Sequence, residues 1–378
     1  MSIEQLLKRF EAAANDPRAL LDGYLNEGKK AIGCFPYYAP EELVYAAGMI
    51  PFGIWGSRSQ GGIQSAKRYF APFYCTLAQT GLELAINGAL DGLSGVLMSS
   101  MCDTLRPLTQ NFRAARPDIP FLFLAHPQNR KLECGIAYTM TEYARVKAGL
   151  EEIACRAITD GDIRRGMDIC NQNRQARRTF VRLAAKHPER VSARLRSKVL
   201  KSSYFMDKAE HTRLLCELNG ALAALPEQPW RGGRILVSGI LNDFDGVLEL
   251  FDQYGLCIAA DDVAHESRQI RVDADGSAGD PLRALAEQFA AQDNDTLLYD
   301  PAINGRPRYV AELARQSGAQ GAVILMMQFC DPEEMEYPSL KKALMEAGVP
   351  CVMIGVDQQM NDFAQARTAL EAFADMLG

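Results

Sequence analysis

Two cysteines occupy matching places in the two halves of this 378-residue chain. Each closes an apolar run and is followed at once by aspartate: Gly95-Val-Leu-Met-Ser-Ser-Met-Cys102-Asp103 and Gly321-Ala-Val-Ile-Leu-Met-Met-Gln-Phe-Cys330-Asp331. Apolar runs of this length, with helix-like sequence after them, predict parallel strands of an α/β sheet. Ligands of such sheets collect beyond the carboxyl ends of the strands. Two thiols delivered to that edge, one from each half, point to a soft metal or cluster where two domains meet. Asp331 reads as a helix N-cap and Pro332 as its first residue, so the helix dipole is expected to lower the Cys330 pKa and favour the thiolate. Cys102-Asp103-Thr104-Leu-Arg106-Pro repeats that logic. Taken singly, each also reads as a free cysteine in a strand-to-helix turn. Their matching positions favour function.

Other residues fit packing as well as chemistry. Cys75 sits among aromatics in Arg68-Tyr-Phe-Ala-Pro-Phe-Tyr-Cys75, and Cys34 precedes an aromatic turn. Cys134, Cys155, Cys170, Cys216, Cys257 and Cys351 lie in helix or strand patterns and are expected to be buried. His126 follows an apolar strand and is expected near the same sheet edge, whereas His187 and His211 read as helix-surface residues. Arg174, Arg177, Arg178 and Arg182 are expected on a solvated helix face. Asp261, Asp262, His265, Glu266 and Arg268 form a polar cluster after a strand, suited to pairing across an interface. No phosphate-binding P-loop, dinucleotide G-x-G-x-x-G, G-x-S-x-G or H-E-x-x-H is present.

The elements that must position these residues alternate strand and helix in both halves, with a nearly all-helical stretch from Thr139 to Leu225 between them. The expected fold is therefore α/β, with two lobes of parallel sheet, a helical N-terminal arm over residues 1–30 and a helical connecting segment. Ala223-Ala-Leu-Pro-Glu-Gln-Pro-Trp-Arg-Gly-Gly is the expected boundary, giving domains over 1–225 and 230–378. A net charge of −6 with no basic run argues against a nucleic-acid surface. No apolar stretch approaches the roughly 20 residues that span a bilayer, and the start lacks a signal core, so a cytoplasmic protein with reduced cysteines is expected.

Read in order, Lys30-Ala-Ile-Gly-Cys34, Pro40-Glu-Glu-Leu-Val-Tyr-Ala-Ala-Gly48, Tyr74-Cys75-Thr-Leu-Ala-Gln, Cys102-Asp-Thr-Leu-Arg-Pro, Phe123-Leu-Ala-His126-Pro, Ala259-Ala-Asp261-Asp262, Leu298-Tyr-Asp-Pro301, Met326-Met-Gln-Phe-Cys330-Asp-Pro-Glu-Glu-Met-Glu-Tyr-Pro338 and Ile354-Gly-Val-Asp-Gln358 form a set. The set resembles the 2-hydroxyacyl-CoA dehydratase family, which also contains benzoyl-CoA reductases, and within it the β-type subunits. The likeness covers nearly the whole chain. It implies two flavodoxin-like or Rossmann-like lobes, an αβ heterodimer with an α subunit as partner, and one [4Fe–4S] cluster held by Cys75, Cys102 and Cys330. Three cysteines leave one iron without a protein ligand.

The family's chemistry is elimination of water from a 2-hydroxyacyl-CoA, with 2-hydroxyglutaryl-CoA the expected substrate, in anaerobic fermentation of glutamate. The β-hydrogen is too weakly acidic for any side-chain base at neutral pH. One electron on the thioester carbonyl gives a ketyl radical anion, which expels the hydroxyl and acidifies that hydrogen. The electron then returns. It would come from a separate ATP-hydrolysing iron–sulfur activator, which accounts for the missing P-loop. The resemblance places the substrate mainly against the α subunit, so no catalytic base is assigned. Glu333, Glu334, His126 and Arg106 are candidates for tuning the cluster only, and a flavin (FMN or riboflavin) is a candidate further cofactor of the assembled complex. A homomeric reductase of the double-cubane or benzoyl-CoA type, a cluster-free structural subunit and a zinc hydrolase are the competing readings.

Overall fold

The computed structural model describes residues 1–35, 37–56, 62–298 and 305–378. The Leu298–Pro301 motif lies outside the described residues except for Leu298. Among the described residues eight strands form two parallel sheets of four. The first comprises β1 (Ala31–Cys34), β2 (Ile50–Gly53), β3 (Gly95–Ser99) and β4 (Phe121–Leu124), in the order β2-β1-β3-β4. The second comprises β5 (Arg234–Gly239), β6 (Cys257–Val263), β7 (Gly321–Met327) and β8 (Cys351–Val356), in the order β6-β5-β7-β8. Counted within each half, both run second, first, third, fourth. Strand order reverses beside the first strand, so each sheet opens a crevice between its first and third strands. Cys102 leaves β3 and Cys330 leaves β7, the equivalent third strands. The expected two-lobed α/β fold is the one found.

Burial accounts for the strand sequences. β3 and β7 are buried along their whole length, which is why they read as unbroken apolar runs and not as alternation. β8 lies at the sheet edge and leaves Met353 and Gly355 exposed. One apolar core passes through both lobes, joining Ile54, Trp55, Leu82 and Phe112 to Ile235, Val237, Phe244 and Val323.

The arm is α1 (Ile3–Asn15) and α2 (Pro17–Asn26), and a capping box at Ser2 and Gln5 starts it. Leu6, Leu7 and Phe10 of α1 pack on Phe180, Leu214 and Leu218 of the helical segment. That segment contains α6 (Glu133–Ala154), α7 (Asp160–Ala184), α8 (Ala193–Ser202) and α9 (Lys208–Ala223). α7 lies so close to α3 (Glu41–Ala46) that a Cβ on Gly166 would stand 2.2 Å from the Glu42 carbonyl oxygen. α4 (Thr76–Ile86) and α5 (Leu105–Ala115) complete the first lobe. α10 (Asp245–Gln253), α11 (Pro281–Ala290), α12 (Gly305–Gln316), α13 (Asp331–Glu346) and α14 (Ala364–Leu377) belong to the second.

Several surface expectations fail for one reason: α7 and α9 are covered by both the arm and the lobes. Arg177 is buried, and Arg174 is largely buried against Glu42 at 2.7 Å. His187 and His211 are buried as well. His211 packs edge-on to Phe10, takes a hydrogen bond from Asn173 at 3.0 Å and gives one to the Val199 carbonyl at 3.1 Å. Conversely, Cys134, Cys155 and Cys216 are exposed rather than buried, because each lies on a solvent face of its helix or at its cap.

Burial pushes the His211 pKa down to about 3. The folded state therefore holds it neutral while the unfolded chain protonates it below about pH 6.5, so its contribution to stability is lost as pH falls below that value. We expect the stability advantage of the wild type over His211→Gln to shrink by about 1.4 kcal/mol per pH unit between pH 6 and 4. Urea unfolding of both proteins across that range measures it. A pH-independent difference would show that His211 is already charged in the fold.

Candidate metal centre

Three of the ten cysteines come together at the junction of the lobes, and each is set there by a helix start. Cys75 is the N-cap of α4 and Cys330 the N-cap of α13. Cys102 lies in the turn that opens α5, with its carbonyl accepting from Leu105 N–H at 3.1 Å. For α13 the sequence reading was one residue late: Cys330, not Asp331, caps the helix. Its carbonyl accepts from the amides of Glu333 and Glu334, both at 3.0 Å. All three cysteines are part-buried against the same apolar core and none is in a disulfide.

α4 is fixed to the second lobe by Gln358 N–H, which donates to Thr76 Oγ1 at 3.0 Å, and by Gln359, whose side chain reaches Thr80 at 3.2 Å. Thus Cys75, which is in the first half of the sequence, is oriented by the last βα connection of the second. Phe329 holds a left-handed φ of +61° just before Cys330, a conformation disfavoured for a bulky residue, and its amide is tied to Glu334 at 3.1 Å.

The thiols sense one another. Burial, with Cys102 and Asp331 adding in the same direction, pushes Cys75 up to about 12. Burial raises Cys330 well above the usual thiol range, with Glu333, Cys75 and Cys102 adding to it. Cys102 is raised too, by burial first and then by Asp103 and Asp331. The expected lowering by helix starts exists but is outweighed. Amides of Leu77 and Ala78 oppose the rise at Cys75, those of Thr104 and Leu105 at Cys102, and that of Glu333 at Cys330. Desolvation of a thiolate costs more than one helix turn returns. Metal ions displace such protons outright.

Among the described residues, no three His, Cys, Asp or Glu side chains converge closely enough to hold a single metal ion. A mononuclear zinc site needs sulfurs about 2.3 Å from one centre.

The remaining candidates lie as follows. Cys34 is buried in β1, its thiol bonded to the Ile32 carbonyl at 3.6 Å, and it faces Cys170 across a separate cavity. His126 stacks on Phe289 with centroids 4.1 Å apart and bonds the Tyr38 carbonyl at 3.2 Å. Burial pushes it down to about 4, so it is a neutral packing residue. Arg106 is exposed on α5. Glu333 is buried next to Cys330, and burial raises its carboxyl to about 7 against the pull of Arg268 and Arg306.

Sequence reasoning missed the supports. Tyr37 is buried close to Cys330 and Glu333 and ties the lobes together by donating to the Ile240 carbonyl at 3.2 Å. The Asp261–Arg268 cluster does pair across the two halves of the chain, as its sequence suggested. Arg196 of α8 pairs with Asp261 and Glu266. Arg268, Arg271 and Arg306 surround Asp262 at 3.1, 2.5 and 2.7 Å. The only signal for this was the adjacent acidic pair followed by arginines.

A family model, "2-hydroxyglutaryl-CoA dehydratase, D-component", matches residues 36–377. The chain belongs to the 2-hydroxyglutaryl-CoA dehydratase D-component family. Relatives of this family align end to end. The β subunit of (R)-2-hydroxyglutaryl-CoA dehydratase from Acidaminococcus fermentans is 50% identical, with 100% of each chain covered. The lactoyl-CoA dehydratase β subunit of Anaerotignum propionicum is 40% identical and the (R)-phenyllactyl-CoA dehydratase β subunit of Clostridium sporogenes 39%, each with 99% of both chains covered. Among the described residues no helix is long and apolar enough to cross a membrane.

Proposed function

We propose that this chain is the β-type subunit of a 2-hydroxyacyl-CoA dehydratase and that Cys75, Cys102 and Cys330 hold a [4Fe–4S] cluster. The observation that carries this is the meeting of three thiols from three helix starts, two from one lobe and one from the other, with Cys102 close enough to raise Cys75 and both close enough to raise Cys330. A thiol-only donor set suits iron–sulfur. When bound, such a cluster would supply transfer of a single electron at low potential.

The protein's own part is positional and electrostatic. Amides in the first turns of α4, α5 and α13 stabilise charge on the sulfurs. Met327, Tyr37 and the apolar core keep water from their inner side, and Glu334 holds Phe329 at the rim. Relatives named as β subunits support an α subunit as partner, and their names support a hydroxyacyl-CoA substrate. With 50% identity to the hydroxyglutaryl relative against 40% and 39% to the others, we take 2-hydroxyglutaryl-CoA as the preferred substrate, with activation by a separate ATP-dependent iron–sulfur protein. Two domains meeting at residues 225–230 complete this reading.

The test is co-production with the α subunit under anaerobic conditions, then turnover with activator, ATP and reductant. We expect water elimination from (R)-2-hydroxyglutaryl-CoA with kcat/KM at least about tenfold above lactoyl-CoA and phenyllactyl-CoA, a difference of 1.4 kcal/mol. Elimination from none of the three would end the dehydratase reading, and a saturated, reduced product would mark a reductase.

A further inference from the structure

The loop between β1 and α3 holds two successive tyrosines in the left-handed region, Tyr37 at φ 79° and Tyr38 at φ 58°. Bulky side chains seldom adopt that conformation, and two in a row persist only where surrounding contacts hold them. Those contacts divide between the lobes. The two backbone carbonyls are held by the first lobe: that of Tyr37 accepts from Ser99 Oγ at 2.9 Å, and that of Tyr38 from His126 Nε2 at 3.2 Å. The two hydroxyls reach the second lobe. Tyr37 donates to the Ile240 carbonyl at 3.2 Å, and Tyr38 to the Asp295 carboxylate at 2.6 Å.

Each side of this loop leads to a thiol. Ser99 ends β3, the strand that Cys102 follows. Asp295 adjoins Thr296, whose hydroxyl donates to the Pro332 carbonyl at 3.1 Å in the first turn of α13. Asp295 also lies 3.5 Å from Arg268, which stands 4.0 Å from Glu333 in that same turn. The amide of Ile240 faces the Glu333 carboxyl. Cys330 is the N-cap of that helix. Glycine or asparagine would relieve the backbone of the loop but could not supply phenolic hydroxyls to the second lobe. We infer that Tyr37 and Tyr38 are positioning residues, a paired strut that fixes the start of α13, and with it Cys330, against the thiols of the first lobe. The consequence for iron rests on the reading that those thiols hold a cluster; the strut itself does not. Tyr38 has the larger share, because its acceptor is charged. The Ile240 carbonyl is also held by Nδ1 of His265 at 3.1 Å, so the loss of the Tyr37 hydroxyl leaves it bonded.

Tyr38→Phe removes one hydroxyl and little else. Its control is Tyr24→Phe, which removes a hydroxyl that donates to the Phe205 carbonyl at 3.2 Å and joins the arm to the helical segment. Amide hydrogen exchange is followed on the full chain as purified without oxygen. The amides of Glu333 and Glu334, both bonded to the Cys330 carbonyl, should exchange at least about tenfold faster in Tyr38→Phe, the value of one lost hydrogen bond to a charge. The amide of Gln79, bonded to the Cys75 carbonyl in the same way, should keep its wild-type rate. Tyr37→Phe should give a smaller rise at the same two amides, and Tyr24→Phe none. In the same samples a chelator should strip iron at least about tenfold faster from Tyr38→Phe than from the wild type or Tyr24→Phe. A wild-type chain without iron would end the cluster reading, and the exchange rates would still decide the strut. Unchanged exchange at Glu333 and Glu334 in Tyr38→Phe, or an equal rise at Gln79, overturns the strut. Faster exchange there with iron loss unchanged overturns its role at the centre.

Discussion

Replacing Cys330 with serine is expected to strip the chain of iron while leaving it folded. The wild-type chain, purified without oxygen, should carry about four irons and four acid-labile sulfides, and Cys330→Ser close to none. Cys330 is the contribution of the second lobe to the thiol group, so the remaining pair, Cys75 and Cys102, would hold a cluster from one side only. Turnover by the complex should fall by more than about 100-fold, beyond the usual cost of losing an outer-shell partner. The control is Cys34→Ser. Cys34 is bonded into β1 and faces Cys170, so its loss should leave iron unchanged. Folding of both variants is checked by far-ultraviolet circular dichroism and urea unfolding. A wild-type chain that folds without iron, or a Cys330→Ser chain that keeps it, ends the assignment of these ligands.

The two cysteine-bearing strand ends were legible in sequence because fully buried parallel strands leave unbroken apolar runs, and a helix follows each at short range. Equivalence of β3 and β7 was visible as a matching pattern, but the shared strand order was not, since order depends on pairing between segments far apart in sequence. Cys75 was ambiguous alone: it follows a long connection, and its neighbours in space, Gln358 and Asp331, lie more than 250 positions away in sequence. The arginines of α7 were misread because helical spacing among polar residues describes a solvated face only when nothing covers it. Here the two lobes supply partners on both sides, Glu42 to Arg174 and Asp273 to Arg178. The direction of the thiol shifts was misjudged for a related reason. A helix start can be read locally, whereas the degree of burial that outweighs it cannot.

The supports of the centre should matter for stability nearly as much as the ligands matter for iron. Arg268 is fully buried, 3.1 Å from Asp262, 3.5 Å from Asp295 and 4.0 Å from Glu333 in the first turn of α13. Arg306 shares Asp262 and pairs with Glu336 on the same helix. The network thus fixes the helix whose first residue follows Cys330. Arg268→Met keeps most of the volume but leaves Asp295 and Glu333 short of a cation in a dry interior. Removing one member of a buried ion pair costs about 3–5 kcal/mol, against a total of roughly 5–15 kcal/mol for a domain. We therefore expect a large drop in the urea midpoint at pH 7 and partial loss of iron through displacement of α13. The deficit should depend on pH in one direction. Burial alone would raise the Asp262 carboxyl, yet Arg268, Arg306 and Arg271 hold it well below the usual carboxylate range. A depressed folded pKa gives stability that is complete above the unfolded value, about 3.9, and is lost as pH falls further. The gap between wild type and Arg268→Met should accordingly shrink as pH falls, first around pH 7 through Glu333, whose carboxyl stands at about 7 even with Arg268 in place, and then below about pH 4 through Asp262. A deficit under about 1 kcal/mol at pH 7, with iron retained, would mean that Arg271 and Arg306 suffice for Asp262 and that α13 is held by its apolar face, through Leu340 and Leu344, rather than by this network.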